Sequence, residues 1–234
     1  MVEKLDSEFP RIMKDTECKA LNEDLQQIHG VKTNMTPEEV DDFIFLKQGA
    51  VSKENCNRAI ELFEEEKKYN DGTIGPERTL DEKQKICKEI YIEEAYPNPY
   101  NNLFIEDLNA ALEDYKKKYP YINFVNPWRI ERWYKLQRYK PHEGYFGLHC
   151  ENNGSCLTRM LVWMVYLNDV TDEGFTIFPT QKKLFQPRTG DILIWPAFWT
   201  HPHKGVTSKT QSKYILTGWW DFKLMLNATD YTNG

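Results

Sequence analysis

The sequence predicts an α+β chain, a jelly-roll β core carried on N-terminal supporting helices. Two observations carry that prediction. From about Ile122 onward, short aromatic and β-branched runs (WRIERWYKLQRY, GYFGLHCE, CLTRMLVWMVYLND, GFTIFP, DILIWPA and KYILTGWWDF) alternate with turn clusters such as KPHEG, NNGS and QPRTG. Short strands at even spacing, without intervening helices, indicate a barrel or a sandwich of the jelly-roll kind. Before Ile122, apolar residues recur instead at helical spacing.

Residues 1–35 are polar and weakly periodic and read as an N-terminal arm. In TPEEVDDF, Thr36 is placed to cap a helix and Pro37 to occupy its first turn. A longer helix is expected from Ser52, with Cys56, Ala59, Ile60 and Phe63 on one face and the charges of SKENCNRAIELFEEEKKYN on the solvated face. NDGTIGP reads as a loop. A further amphipathic helix runs through Leu108, Leu112 and Tyr115 and stops at Pro120. Residues 36–121 thus read as mainly helical support with no chemistry of their own. Residues 122–226 read as the jelly-roll core of a single catalytic domain spanning 36–226, and 227–234 as a C-terminal tail.

Composition narrows the function. A chain of 234 residues, 40% apolar and 14% aromatic, can bury a substantial core. A formal net charge of −6 argues against a surface that coats nucleic acid. The longest apolar run, MLVWMVYL, is too short to span a bilayer, and MVEKLDSEFPRIMKD has no apolar leader segment. Five scattered cysteines, at 18, 56, 87, 150 and 156, read as reduced thiols of a cytoplasmic protein.

The chemistry concentrates in the second half. His149 and Glu151 stand two apart, a pair that this composition produces about once by chance. On a strand, i and i+2 side chains leave the same face, with Cys150 on the other. WTHPHKGV adds His201 and His203. Two imidazoles and one carboxylate leave three octahedral positions open, which suits non-haem Fe(II) and O₂ chemistry; structural zinc would want a closed shell. In KYILTGW, strand alternation puts Lys213, Ile215, Thr217 and Trp219 on one face. An inward lysine is costly unless it meets an anion. A dicarboxylate cosubstrate with one end on the metal would supply one.

The order Tyr139, His149-x-Glu151, Arg159, YLNDV, GFTIFP, PRTGDILIW, HKG and KYILTGW resembles the prolyl 4-hydroxylase branch of the Fe(II)/2-oxoglutarate-dependent dioxygenases. The resemblance covers roughly residues 38–222 and is most specific over the last hundred. HCENNG and IWPAFWTHPHKG further resemble the small, stand-alone members encoded by phages and bacteria, which for a virus-encoded chain implies the host cytoplasm. It implies a double-stranded β-helix (cupin-like) core and Fe(II) held by His149, Glu151 and His203. Gly205 and the ten-residue step to Lys213 match the family's third ligand at His203. His201 then packs near the site or meets solvent, and His142 is an exposed loop residue. Lys213 would pair with the far carboxylate of 2-oxoglutarate, Tyr166 would hydrogen-bond the same carboxylate, and Tyr139 would lie near the metal-chelating end. Thr217 would line the cosubstrate pocket, while Arg159 and Trp219 would face the substrate. Arg159 is equally well read as a structural arginine satisfying backbone carbonyls.

The implied reaction uses O₂, with ascorbate as a further reductant, and releases succinate and CO₂ as a peptidyl proline is hydroxylated. Alternatives are hydroxylation of a free amino acid or other small molecule, oxidative demethylation of nucleic acid, and a non-catalytic cupin-like metal-binding protein. The expected partner is a proline-containing protein or peptide, neutral or basic to suit the acidic chain, with no nucleic acid and no membrane. Aromatic side chains at the pocket would stack on proline rings. Two departures stand out. Glu151 replaces the usual aspartate, and Glu173-Gly174-Phe175-Thr176 replaces Gly-Gly-Glu-Thr.

Overall fold

The computed structural model describes residues 41–222, apart from 76, 96, 126, 127 and 155. The N-terminal arm, the helix start at Thr36 and the C-terminal tail lie outside the described residues. The chain divides into two units, Met1–Asp42 and Phe43–Gly234, and every described helix and strand belongs to the second.

Along the chain come β1 (Phe45–Lys47), α1 (Lys53–Glu66), β2 (Asn70–Asp71), β3 (Lys85–Ile86), β4 (Lys88–Glu93) and α2 (Asn101–Lys118). A 3₁₀ turn (Pro120–Phe124) leads into β5 (Trp128–Ile130), β6 (Trp133–Tyr139), β7 (Gly144–Tyr145) and β8 (Arg159–Tyr166). The remainder is β9 (Thr176–Phe178), β10 (Lys183–Phe185), β11 (Ile192–Pro196), β12 (Lys204–Gly205) and β13 (Lys213–Phe222). The main sheet has eight strands in the order β1-β11-β8-β13-β6-β4-β2, with β5 pairing the end of β13. A three-stranded sheet, β10-β9-β12, and the pair β3-β7 complete the jelly roll. All pairings are antiparallel.

Both helices form where the apolar period predicts. The Ser52 side chain caps α1 by accepting from the Asn55 amide, and Cys56, Ala59 and Phe63 are its buried residues. In α2, Leu108, Leu112 and Tyr115 are buried, and the helix ends ahead of Pro120. The support region contributes strands as well as helices. β1, β2 and β4 all come from it and extend the main sheet, and the expected loop NDGTIGP begins with β2. The reason is alternation of an unusual kind. In β4, Ile90 and Ile92 join the apolar core while Glu89 is buried on the other face. A strand that buries charge does not present an amphipathic pattern.

The two faces of the main sheet do different work. One face carries Leu136 of β6, Trp163 and Val165 of β8, and Leu216 and Trp220 of β13, packed with the helices around Phe63, Phe104 and Leu108. The other carries Tyr139, Val162, Met164, Ile215 and Trp219, packed with Phe178 of the smaller sheet. Strands covered on both faces read as near-continuous apolar runs, which explains MLVWMVYL. No helix among the described residues is long and apolar enough to cross a membrane. The four described cysteines are free thiols.

Polar contacts fasten α1 to the sheet. Arg138 donates to both oxygens of Glu64 (2.7 and 2.9 Å), and the Tyr214 hydroxyl donates to the same carboxylate at 2.8 Å. Phe63 lies beside this cluster, stacked on Tyr69 and edge-on to Tyr214. Phe63→Ala is expected to cost about 3–5 kcal/mol, read as a lower urea midpoint at unchanged denaturant slope.

Candidate metal centre and its cavity

The segment GYFGLHCE is not a continuous strand. Only Gly144–Tyr145 is paired as β7, and the next regular pairing is a single antiparallel bridge between His149 and His203. Each donates its amide to the other's carbonyl, at 3.1 and 2.9 Å. Two residues on, the Glu151 amide donates to the Ala197 carbonyl at 3.0 Å. Gly147 and the turn Asn152-Asn153-Gly154, with Gly154 at φ 52°, interrupt any longer ladder. One bridge nevertheless suffices to bring the two histidines side by side.

Ligand atoms from His149, Glu151 and His203 all lie within 4.8 Å of one another. The tautomers follow from the partners. His149 Nδ1 lies 2.9 Å from the Gly147 carbonyl, and His203 Nδ1 lies 3.1 Å from the His201 carbonyl. A carbonyl only accepts, so both Nδ1 atoms carry hydrogen and both Nε2 atoms can present a lone pair. Those two Nε2 atoms stand 3.3 and 3.5 Å from the same oxygen, Glu151 Oε1. Burial pushes the Glu151 carboxyl up, but His149 and His203 outweigh it and hold the group well below the usual carboxylate range. Burial, reinforced by His149, lowers His203. Three electron-pair donors aimed at one point suit a divalent cation. Packing fixes the rings, with Tyr145 stacked on His149 at 3.7 Å and Trp195 edge-on to His203 at 5.0 Å between ring centroids.

The second oxygen of Glu151 is clamped. Trp219 Nε1 donates to Oε2 at 3.1 Å, and Arg159 Nη1 approaches the same atom at 3.5 Å. The Arg159 guanidinium lies 3.5 Å over the Trp219 ring, and it is anchored by Glu131 through paired contacts of 2.7 and 3.0 Å. Arg159 therefore satisfies carboxylates, not backbone carbonyls. It and Trp219 do line the cavity, but their closest partner there is Glu151.

Lys213 occupies the same cavity. Its ammonium donates to the Gly174 carbonyl at 3.0 Å, and burial lowers it to about 8. Tyr139 flanks it at 5.3 Å from ring centroid to Nζ. Gly205 leaves the ammonium approachable, since a side chain there would begin 3.7 Å from Nζ. Thr176 and Thr217 also line the cavity; Thr217 donates to the Trp163 carbonyl at 3.2 Å. Tyr166 is fully buried beside this lining. Its hydroxyl donates at 2.8 Å to Thr176, and Thr176 is the hydroxyl that reaches the cavity. The altered loop keeps what the site uses. Gly174 supplies the carbonyl, while Glu173 turns out to Lys209 at 2.7 Å.

His201 is buried, with Nδ1 2.8 Å from the Thr200 hydroxyl, and it stands outside the converging set. His142 is exposed in its turn. Residues that the motifs did not flag also line the cavity, among them Thr73, Lys85, Lys135, Gln137 and Tyr145. The alternation of Ile90 and Ile92 against Glu89 was the available signal for this wall.

Residues 134–221 match the family described as the 2OG-Fe(II) oxygenase superfamily. A curated relative, "Putative prolyl 4-hydroxylase" of Acanthamoeba polyphaga mimivirus, is 29% identical over 104 residues, covering 37% of this chain and 43% of the relative. This chain thus aligns with less than half the length of that relative. Among solved structures, a viral collagen prolyl hydroxylase from Paramecium bursaria Chlorella virus-1 matches with TM-score 0.58 and 17% identity, over 81% of this chain and all of its own. A Pseudomonas putida prolyl-4-hydroxylase matches with TM-score 0.59 and 15% identity, over 86% and 98%. A Trichoplax adhaerens prolyl hydroxylase, solved with a hypoxia inducible factor peptide fragment, matches with TM-score 0.60 and 14% identity, over 89% and 94%. At these identities the structures speak for the fold, a double-stranded β-helix. Residues 134–221, which hold the converging side chains and Lys213, are thus similar to the 2OG-Fe(II) oxygenase superfamily, and part of the chain is similar to a putative prolyl 4-hydroxylase.

Proposed function

We propose that the chain is an Fe(II)- and 2-oxoglutarate-dependent hydroxylase acting on proline within a polypeptide. The observation that carries this reading is the convergence of His149 Nε2, His203 Nε2 and Glu151 Oε1 in one cavity with a buried lysine. Bound iron(II) supplies the dioxygen chemistry, which converts 2-oxoglutarate to succinate and CO₂ and delivers one oxygen atom to a substrate C–H.

The protein's own residues do the positioning. His149, Glu151 and His203 would hold the metal, and the Trp219–Arg159 clamp on Oε2 keeps the Glu151 carboxylate in place. Lys213 takes the far carboxylate of 2-oxoglutarate, with the Thr176 hydroxyl beside it and Tyr166 orienting that hydroxyl. Lowering Lys213 from 10.5 to about 8 corresponds to about 3 kcal/mol against the ammonium, a cost that an incoming carboxylate relieves. Tyr139 and Thr217 line the same chamber. A polypeptide substrate is supported by the peptide bound in the Trichoplax structure and by the acidic net charge of this chain, which disfavours nucleic acid.

The direct test incubates the full chain with Fe(II), 2-oxoglutarate, O₂ and ascorbate against proline peptides, free L-proline and alkylated oligonucleotides. Peptide-dependent succinate with a gain of one oxygen on proline is expected. Turnover with free proline alone would move the substrate to small molecules, turnover with oligonucleotides alone would make the protein a demethylase, and metal binding without turnover would make it a binder.

Two further outcomes follow from the geometry. His203→Ala should abolish metal binding while His201→Ala retains it, and Trp219→Phe, which removes the indole N–H donor to Glu151 and shrinks the ring under Arg159, should weaken metal affinity about 10- to 100-fold. Calorimetry with Mn(II) measures all three. The second outcome concerns pH. The bound anion favours protonated Lys213, so binding takes up a proton once the free lysine has titrated. Affinity for 2-oxoglutarate should therefore be level below about pH 8 and fall above it, by about tenfold from pH 7 to pH 9. Lys213→Met should weaken binding and flatten that profile.

A further inference from the structure

The wall formed by β3, β4 and β6 holds an ion cluster that metal and cosubstrate do not use. Lys85 is 2% exposed and Glu89 is fully buried, with Lys85 Nζ 2.6 Å from Glu89 Oε2. Lys135 approaches the other oxygen at 3.4 Å, Gln137 donates to Oε2 at 2.8 Å, and the Thr73 amide donates to Oε1 at 3.2 Å. Burial opposes the Glu89 charge, but Lys135 and Lys85 outweigh it and hold the carboxyl down to about 2. Replacing a buried ion pair by apolar side chains is often neutral or stabilising. Fold stability alone therefore gives little reason for two lysines here.

Their geometry gives a reason. Lys85 and Lys135 both line the cavity. Lys85 spends two of its three N–H donors, on Glu89 and the Thr73 carbonyl at 3.1 Å. Among the described residues Lys135 has one hydrogen-bonded partner, Glu89, so both ammonium groups keep hydrogens for a ligand. Lys135 stands apart from Lys213 along the sheet. Lys135 pairs with Thr217 in the ladder and Tyr139 with Lys213, a separation of four residues, about 13 Å along the strand.

The charge around the cavity favours an anion. Lys85, Lys135, Arg159, Lys204 and Lys213 line it, against Glu151 as the one lining carboxylate. Glu89 and Glu131 neutralise from behind. Two positive charges remain, and a divalent metal with a doubly charged 2-oxoglutarate leaves that balance unchanged.

We propose that Lys85 and Lys135, held by Glu89, form a carboxylate-recognition subsite that selects peptides with an aspartate or glutamate next to the proline to be hydroxylated. This rests on the peptidyl-proline reading and names its substrate class. It also reverses the neutral or basic peptide expected from net charge, because the cavity is locally cationic in an acidic chain.

The test compares proline peptides that differ only at the flanking residue, Asp or Glu against Asn or Gln against Lys, together with free L-glutamate and free L-proline. Peptide-dependent turnover of the full chain is read by mass spectrometry, and affinity by titration into the Mn(II)- and 2-oxoglutarate-loaded protein. We expect the acidic peptides to exceed the lysine peptides at least tenfold in kcat/KM. Lys135→Gln should reduce that discrimination to within about threefold, mainly through peptide KM, with 2-oxoglutarate affinity within twofold of the parent. Lys85→Gln paired with Glu89→Gln, which leaves no lone buried charge, should do the same. Equal turnover of acidic and amide peptides would overturn the subsite and leave the hydroxylase reading standing. Loss of 2-oxoglutarate affinity in Lys135→Gln would also overturn it, by reassigning the lysine to the cosubstrate. Turnover of a free amino acid alone, or no binding or turnover of any peptide, would overturn the subsite and the peptidyl reading together.

Discussion

Three lone pairs aimed at one point repel one another, and much of the structure around His149, Glu151 and His203 serves to keep them there. The two backbone hydrogen bonds between the histidines set their spacing. The carbonyls of Gly147 and His201 fix both tautomers. Glu151 has one more rotatable bond than aspartate, and ordering such a side chain costs up to about 2 kcal/mol. Hydrogen bonds to a charged group contribute about 1.5–3 kcal/mol each. The Trp219 donor, backed by the Arg159–Glu131 pair, can therefore offset the added freedom of the longer carboxylate. Glutamate in place of aspartate is thus accommodated by the clamp without loss of the donor set.

The clamp and the lysine anchor share one strand. β13 sends Lys213, Ile215, Thr217 and Trp219 into the cavity and packs Leu216 and Trp220 against the helices. Burying a large apolar side chain contributes about 1.5–3 kcal/mol, so the two residues on the helix face can offset the roughly 3 kcal/mol disfavouring the Lys213 ammonium. The supporting helices therefore matter to the chemistry, because they stabilise the strand that carries its costliest group. Glu64 of α1, bonded to Arg138 and Tyr214, joins helix and sheet one residue from Tyr139 and Lys213.

What was legible in the sequence divides by whether polarity and burial agree. The helices follow from ordinary apolar periods, and the cavity face of β13 follows from strand alternation even through Lys213. β4 was not legible because it buries Glu89 where an apolar residue is normally expected, so KEIYIE reads as polar support. The converging set of His149, Glu151 and His203 was legible as residues but not as a strand, since Gly147 and Gly154 interrupt the ladder and a single bridge replaces it. Tyr166 matched by position, and only three dimensions reveal that its hydroxyl bonds to Thr176, a cavity residue. Glu173 looked disruptive in a motif, but its side chain points outward while the neighbouring Gly174 carbonyl remains with Lys213.

Net charge and the charge lining the cavity differ in sign for a related reason. It sums over a whole surface, whereas screening at physiological salt confines an exposed charge to about 8 Å. Carboxylates distributed over the exterior therefore have little influence on a ligand seated in the cavity, where a low dielectric strengthens each enclosed charge. Within that enclosure the balance is set by a few groups. Glu89 restrains Lys85 and Lys135 without covering all their donors, and Gln137 connects it onward, donating to Glu89 and accepting from the Tyr139 hydroxyl at 3.2 Å. Tyr139 in turn flanks Lys213. Glu89 and Lys213 are thus joined through Gln137 and Tyr139, so a carboxylate drawing on Lys135 would alter the field at Lys213.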